Sequence, residues 1–527
     1  MILLSCAACG KAEAKNANKK INYMLAAEPK TLDPQIATDR SAIIAIGALF
    51  EGLVRIDKNG KAYPGVAEKW VSNANSTVFT FTIRSGAKWA DDKKTPVTAN
   101  DFVFAFQRAL SPQTGSTTCS QMFCIKNAKA VNAGTLPASQ LGVTAKDANT
   151  LVVQLNYSYP DFPVRTATTV FMPCNQKFFE STSGRYGLER TSLLGNGPFE
   201  IDGKYGWDHG KYLNLVRAAT YIGDKKPLPS NLKFTIADKD IDVSDPTALL
   251  IAATTDAGQI PVEQVNAATT GGCTISSFED TTYGLAFNAQ SDIMKNKNIR
   301  KAFIQAFDRV AVTKNLPKSV NLAENIIAPS TTWMGENYRT LANSGSYYLK
   351  QDKNAAALLT AGLNELSLPK LPSISVICPD DPAVKLMVNE MISTWNSKFD
   401  DYFNIEPLSD DALAARIKSG NYQIALCPIQ PDSDGPLSIL SLFKSGARQN
   451  PVELKDATFD AMLTKAETLS GSQAITAFAS AEKYLNEQAV FYPLYYEKDY
   501  YATAKGVTGV VFLPYGAGVD FIQAGKE

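Results

Sequence analysis

A chain of 527 residues, 45% hydrophobic and 20% charged, is too long for one hydrophobic core and too polar to be embedded in a membrane, so two or three soluble domains are expected. Lys plus Arg and Asp plus Glu both number 52, and the net charge of +0 provides no field that would steer the protein to nucleic acid or acidic lipid. A single histidine, His209 in the polar run YGWDHGKY, reads as part of a solvated turn; with no H-E-x-x-H, G-x-S-x-G or G-x-x-x-x-G-K-[ST] pattern, the chain argues against hydrolase and nucleotide enzymes and leaves only carboxylate chemistry open.

The first stretch, MILLSCAACGKAEAKNANKK, has an apolar part too short to cross a bilayer and lacks a basic leader, so it reads as the truncated end of a lipoprotein signal. Small residues precede two cysteines, and Ala7-Ala8-Cys9-Gly10 favours Cys9 as the lipidated residue, with Cys6 the alternative. Cleavage before Cys9 leaves Cys119, Cys124, Cys174, Cys273, Cys378 and Cys427, an even set that suits disulfides outside the cytoplasm and equally suits buried free thiols. The Lys/Ala/Asn-rich segment up to about Lys20 reads as a tether with no core to bury.

INYMLAAEPKTLDPQIATDRSAIIAIGALFEGLVRID supplies a first strand, a Pro-bounded extended stretch and a helix from about Ser41. In Val78 to Ile83, Phe79, Phe81 and Ile83 alternate with Thr80 and Thr82, the pattern of a half-buried strand. Thr98 followed by Asp101 predicts a capped helix that runs to about Leu110 and stops before Pro112. Thr150 to Leu155 predicts another strand, and Asn196-Gly197-Pro198 a tight turn. Between Leu232 and Ile275 no motif is assigned.

Tyr283 to Asn288 predicts a strand, and Ile299, Ala302, Phe303, Ala306 and Phe307 fall on one face of the helix that follows. SISVICP, a helix opened by Asp381-Pro382, DYFNIEPL, the helix DDALAARIKSG and YQIALCPI then give a β-α-β-α-β order, which predicts a parallel sheet. Ligands of such sheets gather beyond the carboxyl ends of the strands. Cys378 and Cys427 both lie near those ends and are the first candidates for a disulfide.

Several of these pieces recur in one order: EPKTLDPQ, LFEGLV, PGVAEKW, a strand ending in basic-x-Gly-x-x-Trp, PVTANDFVFAFQRAL, GNGPFEID, TTYGLAFNAQ and AVFYPLYY. In that order they resemble the extracytoplasmic oligopeptide- and dipeptide-binding lipoproteins, family 5, that feed ABC importers. The resemblance implies a two-lobed α/β fold of the periplasmic-binding-protein type II class, with an additional domain, mixed sheets and hinge crossover strands. It also implies domain I at 21–56 with 191–282 and 496–527, domain II at 57–190 and domain III at 283–495, after the signal remnant and tether at 1–20.

The implied function is capture of oligopeptides in an interlobe cleft and delivery to a membrane permease, without catalysis, metal or cofactor. The protein would act as a monomer anchored by lipid to the outer face of a bacterial cell membrane. The alternative is the same fold around an oligosaccharide, a metal chelate or another small molecule, or a ligand-sensing receptor. Carried over by motif, Thr38, Asp39 and Arg40 lie near the solute, Tyr283 borders the cleft, and Gln430 lies in the loop QPDSDGPLSILSLF. Pro436-Leu437-Ser438-Ile439-Leu440 matches the family's helix start and places Asp432 as the carboxylate for a peptide's α-amino group, with Asp434 the neighbouring alternative. Ile429, Gln430 and Pro431 stand where relatives carry aromatic residues.

Overall fold

The computed structural model describes residues 19–237, 245–317, 320–400, 402–431, 433–447 and 450–527. The chain divides into two compact units, Met1–Ser277 with Asp499–Glu527, and Phe278–Lys498. The architecture is the two-lobed, mixed α/β one of type II periplasmic binding proteins. The chain passes between the units inside two long strands, Thr274–Phe287 and Phe491–Thr503. Only the apolar parts of both were legible in the sequence. Thr274 to Phe278 and Glu497 to Tyr500 are polar or half-exposed, so no alternation marks them as strand.

In the first unit, Lys20–Leu25 runs parallel to Asn231–Ile236, which pairs antiparallel with Tyr212–Arg217. On its other side Tyr23 pairs Ala257, and Ala257–Ile260 pairs antiparallel with Tyr500 to Thr503. Strand alternation turns Ile21, Tyr23 and Leu25 inward. There Tyr23 meets Phe234 and Phe521 edge-on, with ring centroids 6.1 and 5.2 Å away.

A separate antiparallel sheet has the order Ala67–Ser72, Val78–Ile83, Thr150–Gln154, Val143–Asp147. Phe79, Phe81 and Ile83 are buried, as their alternation predicts. The helix Ala99–Leu110 begins with the expected capping box: the Asp101 carboxylate accepts from the Thr98 amide at 2.7 Å. That helix is locked to the LDPQ stretch by a buried pair. Arg108 donates to both Asp33 carboxylate oxygens, at 2.8 and 2.5 Å, and also to Gln35, whose own amide donates to the Met172 carbonyl at 2.9 Å. Two motifs far apart in the sequence thus form one structural joint.

The second unit has the anticipated parallel order. Ile374–Pro379 sits between Phe403–Leu408 and Ile424–Ile429 and is parallel to both, and Ile424–Ile429 pairs antiparallel with Thr282 to Phe287. Helices Lys297–Ala306 and Pro382–Phe399 cover one face, with Asp381 capping the second through the Val384 amide. Trp395 is fully buried there, its ring 5.0 Å from Phe403 and its indole N–H on the Phe303 carbonyl at 2.8 Å.

The Cys378–Cys427 disulfide is corrected by this sheet: both cysteines are buried free thiols. Val376 pairs Ile424, and Ile374, Val376 and Cys378 share one core with Ile424 and Leu426. Cys427 follows Leu426 and therefore projects from the opposite face, where no S–S bond can reach Cys378. Burial pushes the Cys378 thiol up to about 11 and the Cys427 thiol up to about 12, so both stay protonated and unreactive at neutral pH. The described residues from Leu232 to Ile275, a stretch without a sequence motif, include only short pieces: the rest of Asn231–Ile236, Pro246–Ile251, Ala257–Ile260 and Val265–Thr270. Each is too brief to show a period of its own.

Candidate functional site

In the second unit the parallel strands end at Pro379, Leu408 and Ile429. The loop after Ile429 carries three of the expected residues. Gln430 is exposed, and Asp432 lies outside the described residues. Asp434 is 3% exposed and turned inward: one carboxylate oxygen accepts from the Thr332 amide at 3.0 Å and from the Thr332 hydroxyl at 2.6 Å. The loop is thereby fastened to the hairpin of Thr332–Trp333 and Glu336–Asn337. Gly435, at φ +88°, turns the chain beneath the Trp333 ring, a conformation that favours glycine. The buried helix Pro436–Leu440 follows at the position matched from sequence.

Tyr283 pairs Pro428 across the sheet and stacks flat on Tyr495, ring centroids 5.0 Å apart and planes 7° from parallel. Its phenol is pushed upward by burial first and by the negative charges of Glu497 and Asp410 next. The loops at this end of the sheet also carry Asp380 and Asp381, with Lys385 donating to Asp380 at 2.6 Å.

In the first unit the expected residues separate by role. Asp39 caps the helix Arg40–Leu49: its carboxylate accepts from the Ala42 amide at 2.8 Å and from the Lys30 amide at 3.4 Å. Thr38 is exposed. Arg40 reaches away from the helix and donates to the Tyr501 hydroxyl at 2.8 Å. Asp499, on the same strand as Tyr501, accepts from the Gln259 side chain at 3.0 Å; burial raises its carboxyl and the field of Arg40 lowers it. Tyr501, Asp499 and Gln259 were missed from sequence. The only signal was a charged EKDYY run interrupting an otherwise apolar strand.

The lone histidine is structural. His209 Nδ1 lies 2.7 Å from a Glu28 oxygen that also accepts from the Trp207 indole at 3.0 Å, which pins a surface turn. A cavity of about 390 Å³ opens at the amino ends of the parallel strands, away from the loop of Gln430. Its one arginine, Arg416, is paired with Glu406 at 2.7 Å.

With this geometry in view, residues 61–451 match the model of the bacterial extracellular solute-binding proteins, family 5 Middle. The chain is 27% identical over 510 residues to the oligopeptide-binding protein OppA of Bacillus subtilis, covering 95% of this chain and 92% of that one. It is 28% identical over 486 residues to the periplasmic murein peptide-binding protein MppA of Escherichia coli, covering 89% and 86%. The crystal structure of the substrate-binding domain of an oligopeptide ABC transporter from Bacillus anthracis superposes with a TM-score of 0.74 at 25% identity, covering 97% of this chain and 99% of that one.

Proposed function

Because this chain belongs to the bacterial extracellular solute-binding proteins of family 5, we propose that it captures peptides outside the cytoplasm and delivers them to the permease of an ABC importer. The observation that supports this most is the span of the likeness: relatives named for binding oligopeptides and murein peptides align with this chain over most of both lengths. It is a binding component, not an enzyme.

An extended peptide presents a regular row of backbone donors and acceptors, so it can be held as an added strand whatever its sequence. Its charged amino end is what distinguishes it from other solutes. A desolvated ammonium left unpaired costs several kcal/mol, roughly, so a carboxylate must meet it. Asp432 is the proposed partner, on the strength of its place four residues before Pro436 in the matched helix start. Asp434 is already engaged with Thr332, which leaves it the role of holding the loop. Thr38, Gln430 and Tyr283 are proposed as further contacts, with water filling the side-chain pockets.

The two strands that carry the chain between the units are the proposed hinge. Lipidation at Cys9, with Cys6 the alternative, would tether a monomer to the outer face of the membrane; both cysteines lie outside the described residues.

Calorimetry tests the assignment. Asp432→Ala is expected to weaken binding of a tripeptide or pentapeptide by on the order of a hundredfold, the scale of losing one partner of a desolvated charge pair. Lys418→Ala, at an exposed residue, is expected to leave binding unchanged. Equal effects of the two would remove Asp432 from the site.

A further inference from the structure

We propose that Arg40 receives a carboxylate of the bound ligand, with Tyr501 setting the direction of its guanidinium. The inference rests on the peptide reading above and adds a second polar anchor, opposite in sign to Asp432.

Arg40 is the first residue of a ten-residue helix. A cation there faces the positive end of the helix dipole, so helix stability does not account for it. Neither does ion pairing, because among the described residues Arg40 makes no salt bridge. Other arginines of the same unit do: Arg55 is 3.5 Å from Glu51 and 3.2 Å from Asp520, Arg84 is 2.6 Å from Asp224, and Arg108 is 2.5 Å from Asp33.

What holds Arg40 instead is a neutral group. One Nη donates to the Tyr501 hydroxyl at 2.8 Å, and the guanidinium carbon lies 5.4 Å from that ring's centroid. Tyr501 is 3% exposed and stacked on Phe512 at 4.8 Å, so the phenol is a rigid post. Asp499 is the nearby acid whose carboxyl feels the field of Arg40, yet its carboxylate is turned to Gln259 at 3.0 Å rather than joined to Arg40.

The outcome is an exposed guanidinium, aimed but not neutralised, at the end of the segment that also carries Thr38. A planar fork of donors in that state matches a carboxylate better than any other group of a peptide. The carboxylate can come from the peptide's own end or from an acidic side chain, and the probes below separate these.

The test measures binding of three pentapeptides by calorimetry: Ala-Ala-Ala-Ala-Ala with a free carboxyl end, the same peptide as its amide, and Ala-Ala-Glu-Ala-Ala as its amide. The unsubstituted protein is expected to bind one of the two carboxylate-bearing peptides at least tenfold more tightly than the all-alanine amide. Preference for the first identifies the chain end as the source, and preference for the third identifies the side chain. Arg40→Ala is expected to bind all three with equal affinity. Tyr501→Phe, which keeps the ring and loses the hydroxyl, is expected to reduce the preference to a few-fold. If Arg40→Ala keeps the full preference, or the unsubstituted protein shows none while binding the peptides, the proposal is overturned. If none of the three peptides binds the unsubstituted protein, it is the peptide reading that has failed, and the proposal falls with it.

Discussion

Asp33, in the LDPQ stretch, and Arg40, at the start of the helix that follows it, are used in opposite ways. Asp33 is buried, and both of its oxygens are taken by Arg108. Arg40 is exposed and oriented by a phenol, with its charge left open. The loop after Ile429 repeats the contrast on a smaller scale, since Asp434 faces inward to Thr332 while Gln430 faces out. On the reading proposed above, the difference separates scaffold from site. A charge whose partner is built into the fold maintains shape, whereas a charge that is aimed and left unmatched is available to a ligand.

Three substitutions test how far that separation holds. The largest effect is expected at the buried pair. Arg108→Ala strands the Asp33 carboxylate and should lower unfolding stability by about 3–5 kcal/mol in urea titrations, while peptide affinity of the folded fraction stays within a few-fold. A large loss of affinity without loss of stability would put Arg108 on the wrong side of the division. Next, Asp434→Ala removes the hydrogen bonds that Thr332 donates to its carboxylate and should cost about 1.5–3 kcal/mol, with a modest secondary loss of affinity as the loop loosens. Affinity falling as far as in Asp432→Ala would instead make Asp434 a direct contact. The smallest effect is expected for Arg416→Ala. Its pair with Glu406 is partly exposed and well solvated, so both the urea midpoint and the peptide affinity should stay where they were within error.

How much of this could be read from the chain alone follows a physical rule. Local signals were legible because they depend on neighbours in sequence: the alternation of Phe79, Phe81 and Ile83, the Thr98–Asp101 capping box, the Asp381-Pro382 helix start and the parallel order around Ile374–Pro379. The polar halves of the two long strands were hidden, since strand pairing holds them extended without burying one face. The cysteine pairing failed for a related reason. Nearness of Cys378 and Cys427 to the same end of a sheet says nothing about parity, and their side chains leave it on opposite faces.

The site was legible only in part. Thr38, Asp39 and Arg40 were named by motif, but Tyr501 and Gln259 come from strands distant in sequence, and no spacing rule could have joined them to Arg40. Arg108 is the converse case. It sits in a motif that was recognised, yet its grip on Asp33 emerges only when the two motifs meet.

The packing of Phe521 against Tyr23 has a further consequence, for the order in which the polypeptide can mature. The strand Lys20–Leu25 and the segment around Phe521 share one core, with Arg55 also reaching Asp520 and Lys526 reaching Asp256. During synthesis the first unit therefore cannot close its core until its last residues leave the ribosome, whereas Phe278–Lys498 is one contiguous stretch of chain.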